Sequence, residues 1–184
     1  ENQIVTDKVW HELAFGLENM GLPTPVIRRR VSEMSSYFGI GDWFSRDVNE
    51  LSGGQKQLLN LASVMVMQPK ILILDEPAAG LDPAGREEIL SFVKELSDLG
   101  TTVVLVSHNM DDLVRLADRI LVLQQGRIKE CSSPVELFSD RTKIEYVGLS
   151  LPLVTQFLEK FKEELPDLFL GSFEPVECAE NILA

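Results

Sequence analysis

Leu51-Ser52-Gly53-Gly54-Gln55 opens the stretch that decides the fold. Ile71-Leu72-Ile73-Leu74-Asp75-Glu76-Pro77 and Gly80-Leu81-Asp82-Pro83 complete it. Ser52 is a strong N-cap residue, and Gln55 three positions on completes a capping-box pattern. Leu58, Leu59, Leu61, Ala62, Val64, Met65 and Val66 follow with helical periodicity and more apolar content than an exposed helix carries. Gly53 and Gly54 therefore stand at the amino end of a buried helix, where unpaired N–H groups and the helix dipole favour an anion. Two glycines also let the backbone approach that anion closely. For Ser-Gly-Gly alone, a capped helix after a turn is an equally good reading.

Ile71 to Leu74 is a short, continuous apolar run after Pro69, the pattern of a strand buried on both faces of a parallel sheet. It ends in two adjacent carboxylates, and buried acids are costly unless paired or bound to a metal. Successive strand residues point to opposite faces. If the strand persists through Glu76, one carboxylate can serve a metal and the other a water. An apolar strand ending in one acid is common. The capped Gly-Gly helix, the strand, Asp-Glu-Pro and Gly-Leu-Asp-Pro in this order are not.

On these residues the chain resembles the second part of an ATP-binding-cassette ATPase, over roughly residues 1 to 150. Ser52, Gly53, Gly54 and Gln55 match that family's signature, Asp75 its Walker B aspartate and Glu76 its catalytic glutamate. Gly80-Leu81-Asp82 matches the D-loop and His108 the switch histidine. The resemblance implies an α/β, P-loop NTPase-like fold that lacks its amino-terminal part. It places a partial cassette at 1–148, with a helical subdomain at about 6–55 and a RecA-like part at about 56–148, and a helical extension at 149–184. It further implies that two cassettes, identical or different, pair head to tail around two ATP molecules. Glu76 would polarise the attacking water, and Asp75 would hold Mg2+, directly or through water. His108 would contact the γ-phosphate, Ser52 and Gly54 would hold the γ-phosphate of the other subunit's ATP, and Asp82 would link the two sites. A transmembrane transporter component is the other implied partner, and the cytoplasmic face of the cell membrane the implied location.

At 184 residues the chain is long enough for one domain with a real core, and its 45% hydrophobic and 25% charged content is that of a soluble globular protein. No apolar run approaches the length of a membrane span, and no secretory signal is visible. The first residue is Glu rather than Met, as expected of a fragment. The net charge of −12 argues against a nucleic-acid partner. It is uneven: residues 130–184 hold eleven acids against Arg141, Lys143, Lys160 and Lys162, a pattern read as a solvated acidic region. Cys131 and Cys178 have no metal-ligand spacing with His11 and His108, and free thiols are expected.

Along the chain, Thr6 or Asp7 is a candidate cap for a helix with Val9, Leu13, Leu17 and Met20 on one face, ending at Gly21. His11 reads as a surface histidine. Thr24 caps and Pro25 starts a second helix carrying Val31, Met34 and Phe38, which stops at Gly39. Arg28-Arg29-Arg30 cannot share one helix face, so most of that run is expected in solvent. Arg86 to Leu99 is a helix striped with Ile89, Leu90, Val93 and Leu96. Thr101 to Val106 is a second buried strand with Ser107-His108-Asn109 at its carboxyl end, where ligands bind in open α/β sheets. Asn109 to Ala117 is a short helix, Ile120 to Leu123 a third strand that turns through Gln124–Arg127 into a hairpin, and Pro134 to Phe138 a brief helix. Right-handed crossovers are the expected connection. Ser150 caps a last helix with Pro152 in its first turn and Val154, Phe157, Leu158, Phe161 and Leu165 on its apolar face, stopped by Pro166.

Glu1-Asn2-Gln3-Ile4-Val5, Ala14-Phe15-Gly16, Glu18-Asn19 and Phe173-Glu174-Pro175-Val176-Glu177 are similar to segments of energy-coupling-factor transporter ATPases, which implies uptake of a vitamin or a metal ion. The family's Q-loop glutamine would lie upstream of residue 1, and Gln3 is not given that role. A phosphate-cradling G-x-x-x-x-G-K-[ST] motif is absent, since none of the twelve glycines is followed by lysine. Leu58 and Ala78 stand where the family commonly has arginine and threonine or serine. Two alternatives stand beside this reading. A non-hydrolytic regulatory or scaffold protomer has no chemical use for Glu76 and His108. A non-transport cassette of the DNA-repair kind needs a coiled coil that the short Thr6–Glu50 stretch does not hold; one acting in translation stays open.

Overall fold

Val9, Leu13 and Leu17 recur every four residues and form the fully buried stripe of α1 (Val9–Asn19). The computed structural model describes residues 4–161, 169, 171–173, 175–176 and 178–179. The chain divides into two compact units, Glu1–Val104 and Leu105–Ala184. In the first unit neither Thr6 nor Asp7 caps α1; Lys8 holds the N-cap position and gives no side-chain bond. The donors of the lead-in are met from inside the helix instead. Glu12 is buried and accepts the N–H groups of Val5 (3.1 Å) and Thr6 (2.8 Å) with one oxygen. Met20, expected on the apolar face, is exposed. His11 stacks on Trp10 and lies 3.5 Å from the Glu18 carboxylate.

The second helix, α2 (Thr24–Tyr37), begins one residue earlier than the caps suggest, with Pro23 at the N-cap and Thr24 already helical. Arg28 and Arg29 are exposed, whereas Arg30 is half-buried with its Nε enclosed and without a hydrogen-bond partner. Two 3-10 turns, Gly41–Trp43 and Val48–Glu50, lead into α3 (Gly53–Met65). Leu58, Leu59, Leu61, Ala62 and Met65 of α3 are buried in one core with the α1 stripe, Val31, Phe38, Ile40 and Trp43.

The strand β1 (Ile71–Asp75) follows, then α4 (Pro83–Asp98) and β2 (Thr102–Val106). Strands β1 and β2 are neighbours in a two-stranded sheet. Burial on both faces of β1 is not what forms. Leu72 is 3% exposed, but Ile71 is 60% and Ile73 70% exposed. Alternation sends Leu72 and Leu74 into the core of this unit and the two isoleucines outward, where no described element covers them. Val103 and Val104 of β2 divide the same way. Helix α4 starts three residues before the expected Arg86, because Asp82 caps it and Pro83 opens it. Its apolar stripe Ile89, Leu90, Val93 and Leu96 is buried as expected.

In the second unit α5 (Met110–Leu116) precedes a hairpin of β3 (Ile120–Gln124) and β4 (Arg127–Ser132). Its register runs from Ile120 opposite Ser132 to Gln124 opposite Arg127, with a bulge after Val122. Gln125 (φ 51°) and Gly126 (φ 72°) make the two-residue turn, which requires positive φ at both positions. Helix α6 (Pro134–Phe138) carries a full capping box from Ser133 and Glu136. Helix α7 (Arg141–Val147), capped by Asp140 and ended by Gly148 at φ 68°, has no counterpart in the sequence reading. Ser150 does not cap the last described helix, α8 (Leu153–Glu159). Pro152 holds that position, and the Leu153 N–H is taken by Asp111 Oδ1 at 2.9 Å. Leu158 is buried with Cys178, Val154 and Phe161 pack on them, and Phe157 is 49% exposed. Leu165 and Pro166 lie outside the described residues. Both cysteines are free thiols, Cys131 exposed and Cys178 buried.

Candidate functional site

The amino end of α3 is built as the capping pattern requires. Ser52 Oγ accepts the Gln55 N–H at 3.2 Å, and Gln55 Oε1 accepts the Ser52 N–H at 3.0 Å. That box consumes the third-position donor and leaves the first-turn N–H groups of Gly53 and Gly54 outside the helical ladder. The Ser52 hydroxyl uses a lone pair in the box and keeps its proton for another acceptor. Ser52 and Gly53 are exposed and Gly54 is half-buried, so these donors face solvent at the positive end of the dipole.

The same end packs against the turn that starts α4. A Cβ placed on Gly53 would lie 3.8 Å from Leu81 Cδ2, and one on Gly54 would lie 3.9 Å from Gly85 Cα. Asp82 Oδ1 accepts the Gly85 N–H at 2.9 Å. One carboxylate oxygen of Asp82 is thus committed to its own helix. The structure therefore brings Ser52–Gly54 and Leu81–Gly85 together as one surface of the first unit.

Asp75 and Glu76 leave β1 differently from the expected alternation. The strand ends at Asp75, which is exposed, and Glu76 is half-buried with φ 48°, in the left-handed region. Glu76 is aimed by a turn, not by strand geometry. Its carbonyl accepts the Ala79 N–H at 3.0 Å, and Gln57 Nε2 from α3 donates to the Pro77 carbonyl at 2.8 Å. A hollow of about 370 Å³ lies between the polar side of α3 (Gln57, Asn60, Ser63) and Ile71, Ile73 and Asp75 of β1. A larger hollow of about 920 Å³ lies elsewhere, against α1 and α2. Trp10, Glu18, Ile27, Arg28 and Phe44 are among its lining residues, which include no pair of carboxylates.

In the second unit His108 is exposed, between the end of β2 and the start of α5. Ser107 Oγ accepts the Asn109 N–H at 3.1 Å, and Asn109 Oδ1 caps α5 through the Asp112 N–H at 3.2 Å. These two bonds fix the backbone on the carboxyl side of His108. Among the described residues no three of His, Cys, Asp and Glu gather into a metal cage. Mg2+ asks for less: one or two carboxylates, with phosphate oxygens and waters completing its shell, and a solvent-facing Asp75 fits that donor set.

Three residues of structural consequence have no role in the sequence reading. Gln57 and Asn60 are polar positions three apart on one side of α3, and Glu12 falls on the face of Val9 and Leu13. Their spacing is legible in the sequence, though their partners are not.

The family model described as ABC transporter matches residues 3–79. Energy-coupling factor transporter ATP-binding protein EcfA2 of Symbiobacterium thermophilum is 39% identical, over 100% of this chain and 65% of that protein. Its namesake from Caldanaerobacter subterraneus is 41% identical, over 89% of this chain and 58% of that protein. Among solved structures, cbiO1 from Clostridium perfringens, part of the ABC transporter complex cbiONQ, superimposes with a TM-score of 0.69 at 34% identity, covering 90% of this chain and 61% of that one. The chain spans 30% to 65% of the length of the curated relatives it matches.

Proposed function

This chain belongs to the ATP-binding-cassette family, and from that premise we propose that it serves ATP hydrolysis in an energy-coupling-factor-type transporter, with its α3 end reading the ATP of a second subunit. One observation carries the proposal most directly. The Ser52 hydroxyl and the Gly53 and Gly54 N–H groups converge at a solvent-facing helix end, and that end packs on the Asp82 turn. Such an end suits a terminal phosphate. The relatives' names support the transport role.

In this reading Glu76 polarises a water that attacks the γ-phosphorus. The new P–O bond forms as the bond to the β–γ bridging oxygen breaks, and ADP leaves with that electron pair. The chemistry is mostly positioning and charge stabilisation. Asp75 would hold Mg2+, whose charge offsets that of the phosphates when bound. His108 would touch a γ-phosphate, Gln55 keeps Ser52 in place, and Asp82 would link the two ATP sites through its second oxygen.

The partial cassette is residues 1–148, and residues 149–184 form an extension on it. Leu149, Leu151 and Phe173 pack on the core of the second unit, so in this reading the extension is anchored on the cassette. The partners would be a second cassette subunit, identical or different, and a transmembrane component that docks on the hollow against α1 and α2 and holds the chain at the cytoplasmic membrane face. Among the described residues no helix is long and apolar enough to cross a membrane. The cargo would be a vitamin or a metal ion.

Glu76→Gln in the full-length protein tests the core of the reading. The amide keeps shape and removes charge, so turnover should fall roughly 10²-fold or more while ATP binding survives. Hydrolysis near the parent rate would refute the role given to Glu76.

A further inference from the structure

The Gln57–Pro77 hydrogen bond joins two elements twenty residues apart, and neither residue has a role in the reaction as described so far. Pro77 is buried and offers a carbonyl but no N–H. Enclosed carbonyls need a partner, and the α3 amide supplies it at 2.8 Å. The orientation of that amide is determined by its neighbours. A carbonyl only accepts, so Nε2 must face Pro77, which leaves Oε1 toward Asn60 Nδ2 at 3.5 Å. The residue preceding Pro77 is Glu76, held at φ 48°, a conformation that residues with side chains seldom adopt. The turn's own bond, from the Ala79 N–H to the Glu76 carbonyl, leaves the Pro77 carbonyl unpaired. Without Gln57 the turn loses the anchor on the Pro77 carbonyl, Glu76 is free to return to an ordinary φ, and its carboxylate swings with it.

We infer that Gln57 is a positioning residue for hydrolysis: its amide anchors the Pro77 carbonyl and so sets the direction in which Glu76 points. This rests on the reading of Glu76 as the group that polarises water. Two substitutions remove the donor in different ways. Gln57→Leu deletes the polar group, and Gln57→Glu keeps the shape while replacing a donor by an acceptor. A misplaced catalytic group lowers turnover more than substrate binding.

The test is steady-state and single-turnover hydrolysis by the full-length protein with its partner subunits, in a cycle with Glu76→Gln. Both Gln57 variants should lose about tenfold in kcat with KM for ATP nearly unchanged, a smaller loss than that of Glu76→Gln itself. In the Glu76→Gln background the same changes should have no further effect, because they act through the missing carboxylate. Should the leucine variant fail to fold, the near-isosteric glutamate variant decides alone. Parent kcat in a folded Gln57 variant, or an undiminished tenfold loss on top of Glu76→Gln, overturns the inference while leaving Glu76 in its role. Parent kcat in Glu76→Gln alone removes the reading beneath it.

Discussion

The amino end of α3 and the carboxyl end of β1 are held in place by different kinds of interaction. At Ser52–Gln55 two reciprocal hydrogen bonds close within four residues, and the donors left over face solvent. At Asp75–Pro77 the geometry depends on a left-handed Glu76 and on an amide supplied from another element. The first arrangement is local and forms wherever that helix forms. The second exists only once α3 and β1 have packed together. Chemistry at the α3 end should therefore tolerate distant change, and chemistry at the β1 end should not.

The largest test of this contrast is Gly54→Asp. A Cβ at Gly54 meets Gly85 Cα at an ordinary contact distance of 3.9 Å, so Gly54→Ala is the matched steric control. A carboxylate in the first turn also suits the helix dipole, so the fold should stand. What changes is the sign of charge where a γ-phosphate would sit, and like charges placed in contact cost several kcal/mol. ATP-driven pairing and hydrolysis should fall roughly 10²-fold while ATP loading on the variant's own subunit is kept. Nucleotide affinity and dimerisation measured side by side decide it. Loss of loading with dimerisation intact would move the α3 end to the subunit's own ATP.

Ser52→Ala is gentler and probes the local side. It deletes a cap bond in an exposed capping box, so stability should drop by about 1 kcal/mol. It also removes one donor proposed for the γ-phosphate of the other subunit's ATP, a loss that should appear in ATP-driven pairing. Because the β1 turn is held by Gln57, turnover per folded, paired subunit should change less than it does in Gln57→Leu. Chemical denaturation and kcat on the same preparations make the comparison. A Ser52→Ala loss of kcat equal to that of Gln57→Leu would mean the two ends are not separately held.

Local interactions also decided what could be read from sequence. The Ser52–Gln55 box, the α4 stripe, the Gln125-Gly126 turn and the Val9, Leu13 and Leu17 positions of the α1 stripe all lie within a few residues of their causes, and all form, whereas Met20 does not join its stripe. Ile71-Leu72-Ile73-Leu74 is buried on one face only, because an apolar run records how a face is suited, not what covers it. Helix α4 started early because Asp82-Pro83, read for chemistry, was also a helix start. Ser150 lost the cap of α8 to Pro152, and the Leu153 N–H found Asp111 from forty-two residues away, a partner no local rule names. The candidate site divides the same way. Residue types were legible at Ser52, Gly54, Asp75 and Glu76, whereas the device that aims Glu76 was not.

The smallest effect is expected at Tyr37, where a long-range contact and a titration coincide. Tyr37 on α2 packs against Phe92 of α4 with ring centroids 5.9 Å apart, and Phe38 packs on the same ring at 4.9 Å. Burial, followed by the neighbouring Glu95 carboxylate, pushes the Tyr37 hydroxyl up from 10.0 to about 12. The folded state therefore holds this proton more tightly than the unfolded chain does. The resulting stability is fully present below pH 10, declines as the unfolded chain begins to ionise, and is lost as pH rises through about 12. Tyr37→Phe keeps the ring contact and removes the titration. Urea unfolding between pH 9 and about pH 12 should show the parent losing stability faster than the variant, with the two parallel at neutral pH. Equal slopes across that window would mean that the Tyr37 hydroxyl is no more enclosed in the folded chain than in the unfolded one.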